Sequence, residues 1–119
     1  MTTETLRLTG RQLDAVKHPV ITATTANITL SGEQTIDDIA VTEGDRVLVK
    51  DQTAGSEDGI YEVSTGSWSR TSDWNESEDL LNGMLVPCVS GTANANTVFM
   101  ITFSGTFTLD TTAPTATAI

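Results

Sequence analysis

The chain has 119 residues and a mass of 12.6 kDa, 38% of its residues are hydrophobic, and six Lys and Arg against 16 Asp and Glu leave a net charge of −10. That length suits one domain, and the charge argues against any role that depends on neutralising phosphate, because an acidic surface is repelled by DNA, RNA and anionic lipid alike. No apolar run approaches the roughly 20 residues of a membrane-spanning helix, and Met1 to Arg11 lacks the apolar stretch of a secretory signal, so a soluble protein made in a reducing cytosol is expected.

In chain order, the first segment is polar and reads as an arm. Within it Thr9 to Lys17 predicts a short helix with Leu13 and Val16 on one face, stopped by Pro19. From Ala26 the pattern turns to strand and turn. The 22 threonines, with Val and Ile, favour pleated, half-buried surface. Ala26 to Leu30 alternates, with Ile28 and Leu30 on one face, and Ser31-Gly32 turns the chain. Ile36, Ile39 and Val41 are spaced apolar positions among acids. Glu43-Gly44-Asp45 then makes a tight turn into a strand, Arg46 to Lys50, whose Val47 and Val49 point opposite to Leu48. Asp51 to Gly59 is a polar loop. Gly59 to Ser64 alternates again, Thr65-Gly66 fits a hairpin turn, and Ser67 to Arg70 follows as a strand.

Asp73 to Leu81 predicts the second helix, with Asp73 and Glu76 spaced as a capping box and Asn82-Gly83 as its close. Strands resume at Gly83 to Ser90, Thr97 to Phe103 and Thr106 to Leu109. Pro87 marks the first of these as an edge or a bulge. The tail from Asp110 to Ile119 is either a last edge strand or an extended arm. Some seven short strands with Gly-, Asn- and Asp-rich turns describe a small all-β fold, an antiparallel sandwich or barrel with one or two short helices at most. Residues 1–20 are assigned to an N-terminal arm and residues 21–119 to a β-rich module.

Catalytic chemistry finds little support. His18 is the only histidine and reads as a surface residue, since no second one exists to build a metal site. Cys88, the only cysteine, lies among Leu85, Val86 and Val89 and reads as a buried structural thiol. A serine triad would need His18, and no Gly-x-Ser-x-Gly elbow is present. The acids of Asp51 to Asp58, and the alternating Asp73, Asn75, Ser77 and Asp79, lack the glycine and glutamate of a calcium-binding loop and read as solvated surface. Tyr61, Trp68 and Trp74 fall in the core pattern, which argues against a carbohydrate-stacking platform. No cofactor, metal or catalytic residue is expected.

Several runs resemble a known family. Ala23-Thr24-Thr25-Ala26-Asn27-Ile28-Thr29-Leu30-Ser31-Gly32, then Gln34-Thr35-Ile36-Asp37, is similar to a module of tailed-bacteriophage virion proteins. So is Gly44-Asp45-Arg46-Val47-Leu48-Val49-Lys50-Asp51-Gln52-Thr53, followed by Glu57 to Val63 and Trp68 to Asp73. Gly91 to Thr97 and Phe107 to Thr112 resemble its closing strands, and Asp38 stands where the module has a small residue. The likeness spans roughly residues 20–119.

The resemblance implies a β-rich attachment or oligomerisation unit without catalytic residues. For a chain with its own N-terminal segment and no fibre shaft, it implies a head decoration (cement) protein, assembled in the bacterial cytoplasm and carried on the virion as a homo-oligomer, with a trimer favoured. The alternative is a tail fibre or tailspike module for host attachment. The major capsid protein or other virion proteins are the expected partners. Leu6, Arg7, Leu8, Arg11 and Leu13 of the arm are the expected contact residues. Within the signature, Gly44 supplies a turn with positive φ. Arg46 and Lys50 are expected to pair with nearby acids such as Asp45, Asp51 or Glu57.

Overall fold

The structure is a computed structural model that describes residues 15–119. Nine short strands are formed among them: β1 (Thr22–Ala23), β2 (Thr35–Ile36), β3 (Ile39–Ala40), β4 (Arg46–Val49), β5 (Gly59–Glu62), β6 (Ser69–Arg70), β7 (Met84–Cys88), β8 (Thr97–Thr102) and β9 (Thr115–Ala118). They make a four-stranded sheet in the order β1-β4-β5-β6, a β2-β3 hairpin and a three-stranded sheet β7-β8-β9. The fold is all-β, and among the described residues the regular non-strand elements are two single 3-10 turns at Gly55–Glu57 and Ser77–Asp79.

β4 organises the core. Side chains alternate along a strand, so Val47 and Val49 face opposite to Leu48, yet all three are buried because both faces of the sheet are covered. Leu48 lies opposite Ile60 of β5, and Val47 opposite Tyr61. The Leu48–Ile60 face packs against the β7-β8-β9 sheet through Met84, Val86, Phe99 and Ile101, with Trp74 in the same cluster. The Val47–Tyr61 face packs against Ile36, Val41, Val63 and Trp68, with Ile28 and Leu30 at its margin. β1 joins β4 in parallel, Thr22 opposite Val47 and Ala23 opposite Leu48.

The β2-β3 hairpin turns through Asp37 (φ 49°) and Asp38 (φ 68°). Positive φ at both central residues is what a two-residue hairpin of the I′ kind requires. Asp37 then ties the hairpin to the loop before β8. Its carboxylate accepts the backbone N–H of Ala93 (3.0 Å) and of Asn94 (2.9 Å), and these bonds hold the carboxyl below its usual range.

Four expected elements differ. Ala26 to Leu30 is not a strand. The Gln52 side chain occupies the backbone of Ile28, accepting its N–H at 2.9 Å and donating to its carbonyl at 3.0 Å, so a side chain takes the place of a ladder. Asp73 to Leu81 is not a helix. The Asp73 carboxylate, rather than capping, receives the Arg46 guanidinium at 3.0 and 3.2 Å and the Thr71 hydroxyl at 2.6 Å. The capping box forms one turn later, between Glu76 and Asp79, and supports only the 3-10 turn. Thr106 to Leu109 is a loop, held by the Thr108 N–H on Thr112 Oγ1 and the Leu109 N–H on Ser77 Oγ. Of the expected Thr9–Lys17 helix, residues 9–14 lie outside the described residues; Ala15 to Lys17 is not helical and is bonded to β7.

That last contact closes an edge. Val16 bridges Leu85 and Val20 bridges Cys88, both in parallel, so residues 15–20 run along the outer side of β7. Lys17 is buried there and its Nζ donates to the Asp79 carbonyl at 2.8 Å. Pro87 sits between the two bridges; Leu85 and Val89 on either side of it donate their N–H to residues 15–20, and Pro87, with no N–H, leaves that ladder as two separate bridges. The tail supplies β9, an edge strand paired antiparallel with β8.

Candidate protein-docking surface

Alternation in the three-stranded sheet sends Met84, Val86, Cys88, Phe99 and Ile101 inward to the shared core. The residues between them face outward. Leu85 is opposite Met100, and Met100 opposite Thr117; Pro87 is opposite Val98. The same alternation carries Val89 outward just past β7. Ile119 lies outward just past β9, where its N–H donates to the Val98 carbonyl at 3.0 Å. Val16, bridged to Leu85, extends the row at the other rim.

This outer face gathers the exposed large apolar side chains of the described residues: Val16 at 54%, Val89 at 50% and Ile119 at 69% exposure. Leu85, Pro87, Val98 and Met100 between them are only half-buried. Single exposed apolar residues are ordinary, but a contiguous group is characteristic of an interaction surface. The face also carries no charge. Between Asp79 and Asp110 the sequence has no Asp, Glu, Lys or Arg, and none follows Asp110. The chain's −10 therefore lies elsewhere, including exposed Glu33, Asp38, Glu43 and Glu62 around the hairpin and the central sheet.

The basic side chains among the described residues are all engaged internally. Arg46 meets Asp73 rather than the acids next to it in sequence, and also donates to the carbonyls of His18 (3.0 Å) and Pro19 (3.3 Å). Lys50 meets Asp51 at 3.1 Å, as expected. Arg70 meets Asp110 at 2.9 Å and caps the carbonyls of Ser56 and Asp58.

The other candidate residues sit as follows. His18 is exposed. Cys88 is buried, and burial pushes its thiol up from the usual cysteine range. Asp58 is buried and accepts the Gln52 N–H at 3.0 Å; burial, with the nearby Asp51 and Glu57 charges, pushes its carboxyl up to about 6. Tyr61, Trp68 and Trp74 are core residues. Among the described residues no group of three or more His, Cys, Asp or Glu is placed to hold a metal ion. The expected contact residues Leu6, Arg7, Leu8, Arg11 and Leu13 lie outside the described residues.

The outer face was not among the residues that motif reasoning singled out. Its signal in the sequence is the charge-free stretch from Leu80 to Leu109, which in an acidic chain marks the part without charge. Comparison with protein-family models, with curated proteins and with solved structures gives no match to this chain.

Proposed function

We propose that this chain is a non-enzymatic structural protein of a tailed-bacteriophage virion, a head decoration (cement) protein that binds the major capsid protein as a homo-oligomer, with three copies about a symmetry axis. The observation that carries the reading is the apolar, uncharged outer face of the β7-β8-β9 sheet, since a particle component works through surfaces that other protein covers. The resemblance of Gly44 to Thr53 and its flanking runs to phage virion modules supplies the context. In this reading Leu6, Arg7, Leu8, Arg11 and Leu13 contact the capsid, and the segment that carries them enters the fold beside Leu85.

Cryo-electron microscopy of virions, with and without the protein, tests the proposal. Extra density on the capsid lattice, at symmetry axes, is the expected result. Density at the tail tip would overturn the head position in favour of a tail fibre or tailspike module, and no density on the particle would overturn the virion role.

A further inference from the structure

We infer that the outer face of the β7-β8-β9 sheet is covered by the same face of a second copy of this chain. The inference rests on the homo-oligomer part of the reading above, not on its count of three, because a face that meets its own copy makes a two-fold contact; it is independent of which particle the oligomer joins.

Three observations select that occupant. First, the large exposed apolar side chains of the described residues, Val16, Val89 and Ile119, converge on this face, with Val98 and Met100 at its centre. Second, the face carries no charged residue, whereas the chain as a whole carries −10. A basic partner would be drawn to the acidic surfaces and gain nothing from this one. A surface that fits here must be apolar and uncharged itself, and among the described residues the face itself is such a surface. Third, a second copy brings another −10, so two copies approach with least repulsion where neither presents a carboxylate. Contact across this face keeps the acids around Glu33, Glu43 and Glu62 away from the seam, because they belong to the central sheet and the hairpin behind it. Sheets packed in this way bury their facing side chains as the inner side of the same sheet already does. A patch that meets its own copy also satisfies closed symmetry.

The test uses the full chain and a variant carrying V89E and I119E. Both side chains are at least half exposed, so neither substitution threatens the core. Each puts a carboxylate on the face. Light scattering at micromolar concentration reads the mass, and circular dichroism melting checks the fold. The wild-type chain is expected at twice 12.6 kDa or another even multiple of it, an odd multiple such as a trimer would overturn the inference, and the variant is expected at half the wild-type mass with an unchanged melting profile. T65E, in the exposed turn between β5 and β6, serves as the control and keeps the wild-type mass. A monomeric wild-type chain at every concentration overturns the inference, as does a folded V89E/I119E variant that keeps the oligomer. A wild-type monomer whose capsid binding is abolished by V89E/I119E assigns the face to the capsid instead and likewise overturns it. Loss of virion density in the imaging experiment leaves this mass result unaffected, so the two readings fail separately.

Discussion

Asp58 shows how one buried side chain sets a pH response. Its carboxyl is pushed up to about 6 by burial, against an ordinary value of 3.8, so the folded chain holds that proton more tightly than the unfolded chain does. This group's contribution to stability is therefore full below about pH 4 and is lost as the pH climbs through about 6. Asn in its place keeps an oxygen for the Gln52 N–H and cannot ionise. D58N is expected to flatten the fall in melting temperature between pH 4 and pH 7, as read by thermal melts across that range. Asp37 and Asp73 act in the opposite sense. Their carboxyls are held low, so what they contribute is present above their unfolded value and lost as the pH falls through their folded values. A second prediction concerns Gly91. A Cβ there would stand 2.1 Å from Asp37 Oδ2, on a backbone with φ of +136° that L residues rarely adopt. G91A is expected to destabilise the fold by about 1–3 kcal/mol in chemical denaturation, through backbone strain and loss of the Asp37 tie.

At the scale of elements, β4 and β5 form the spine. Leu48 and Ile60 are fully buried opposite each other, and neither can be shortened without leaving a hole between two sheets. L48A or I60A is expected to cost about 2–5 kcal/mol in urea unfolding. These strands were readable because alternation and β-branching agree over Arg46 to Val49 and Gly59 to Glu62. Elsewhere the local pattern was overruled by distant partners. Asp73 looks like a helix cap until Arg46, 27 residues away, claims its carboxylate. Ile28 and Leu30 look like strand residues until Gln52, 24 positions from Ile28, takes up the backbone N–H and carbonyl of Ile28. No periodicity can announce a side chain from another part of the chain. The tail was open between strand and arm, and pairing with β8 settles it as β9.

For the whole molecule, the governing fact is where charge is absent. Among the described residues the carboxylates lie around the hairpin and the central sheet, in the segment from Asp73 to Asp79 and at Asp110, while the strands of the third sheet carry no Asp, Glu, Lys or Arg. That division is legible in the sequence as composition. The outward pointing of Val89, Val98 and Met100 is not, because it depends on the register with β8 and on which face β4 covers. An assembly that meets across this face should respond to salt opposite to an ionic one. Added salt screens the repulsion between two acidic copies and leaves apolar contact in place. The midpoint concentration for assembly is therefore expected to fall on going from about 0.01 M to about 0.15 M salt, measured by light scattering of dilution series. A rise over that range would identify ion pairs as the adhesive.

The run of residues 15–20 along β7 has a mechanical consequence. The pairing is parallel, and its bonds (Leu85 N–H on the Ala15 carbonyl, Lys17 N–H on the Leu85 carbonyl, Val20 N–H on the Pro87 carbonyl) lie side by side across the strand axis. Tension applied at Ala15 along that axis loads these bonds together, in shear, along with the buried Lys17 anchor on the Asp79 carbonyl. Tension across the axis would instead break them one at a time. A tether drawn along β7 is therefore held far more firmly than one peeled away from it, and the direction of pull decides whether the β domain stays attached under load.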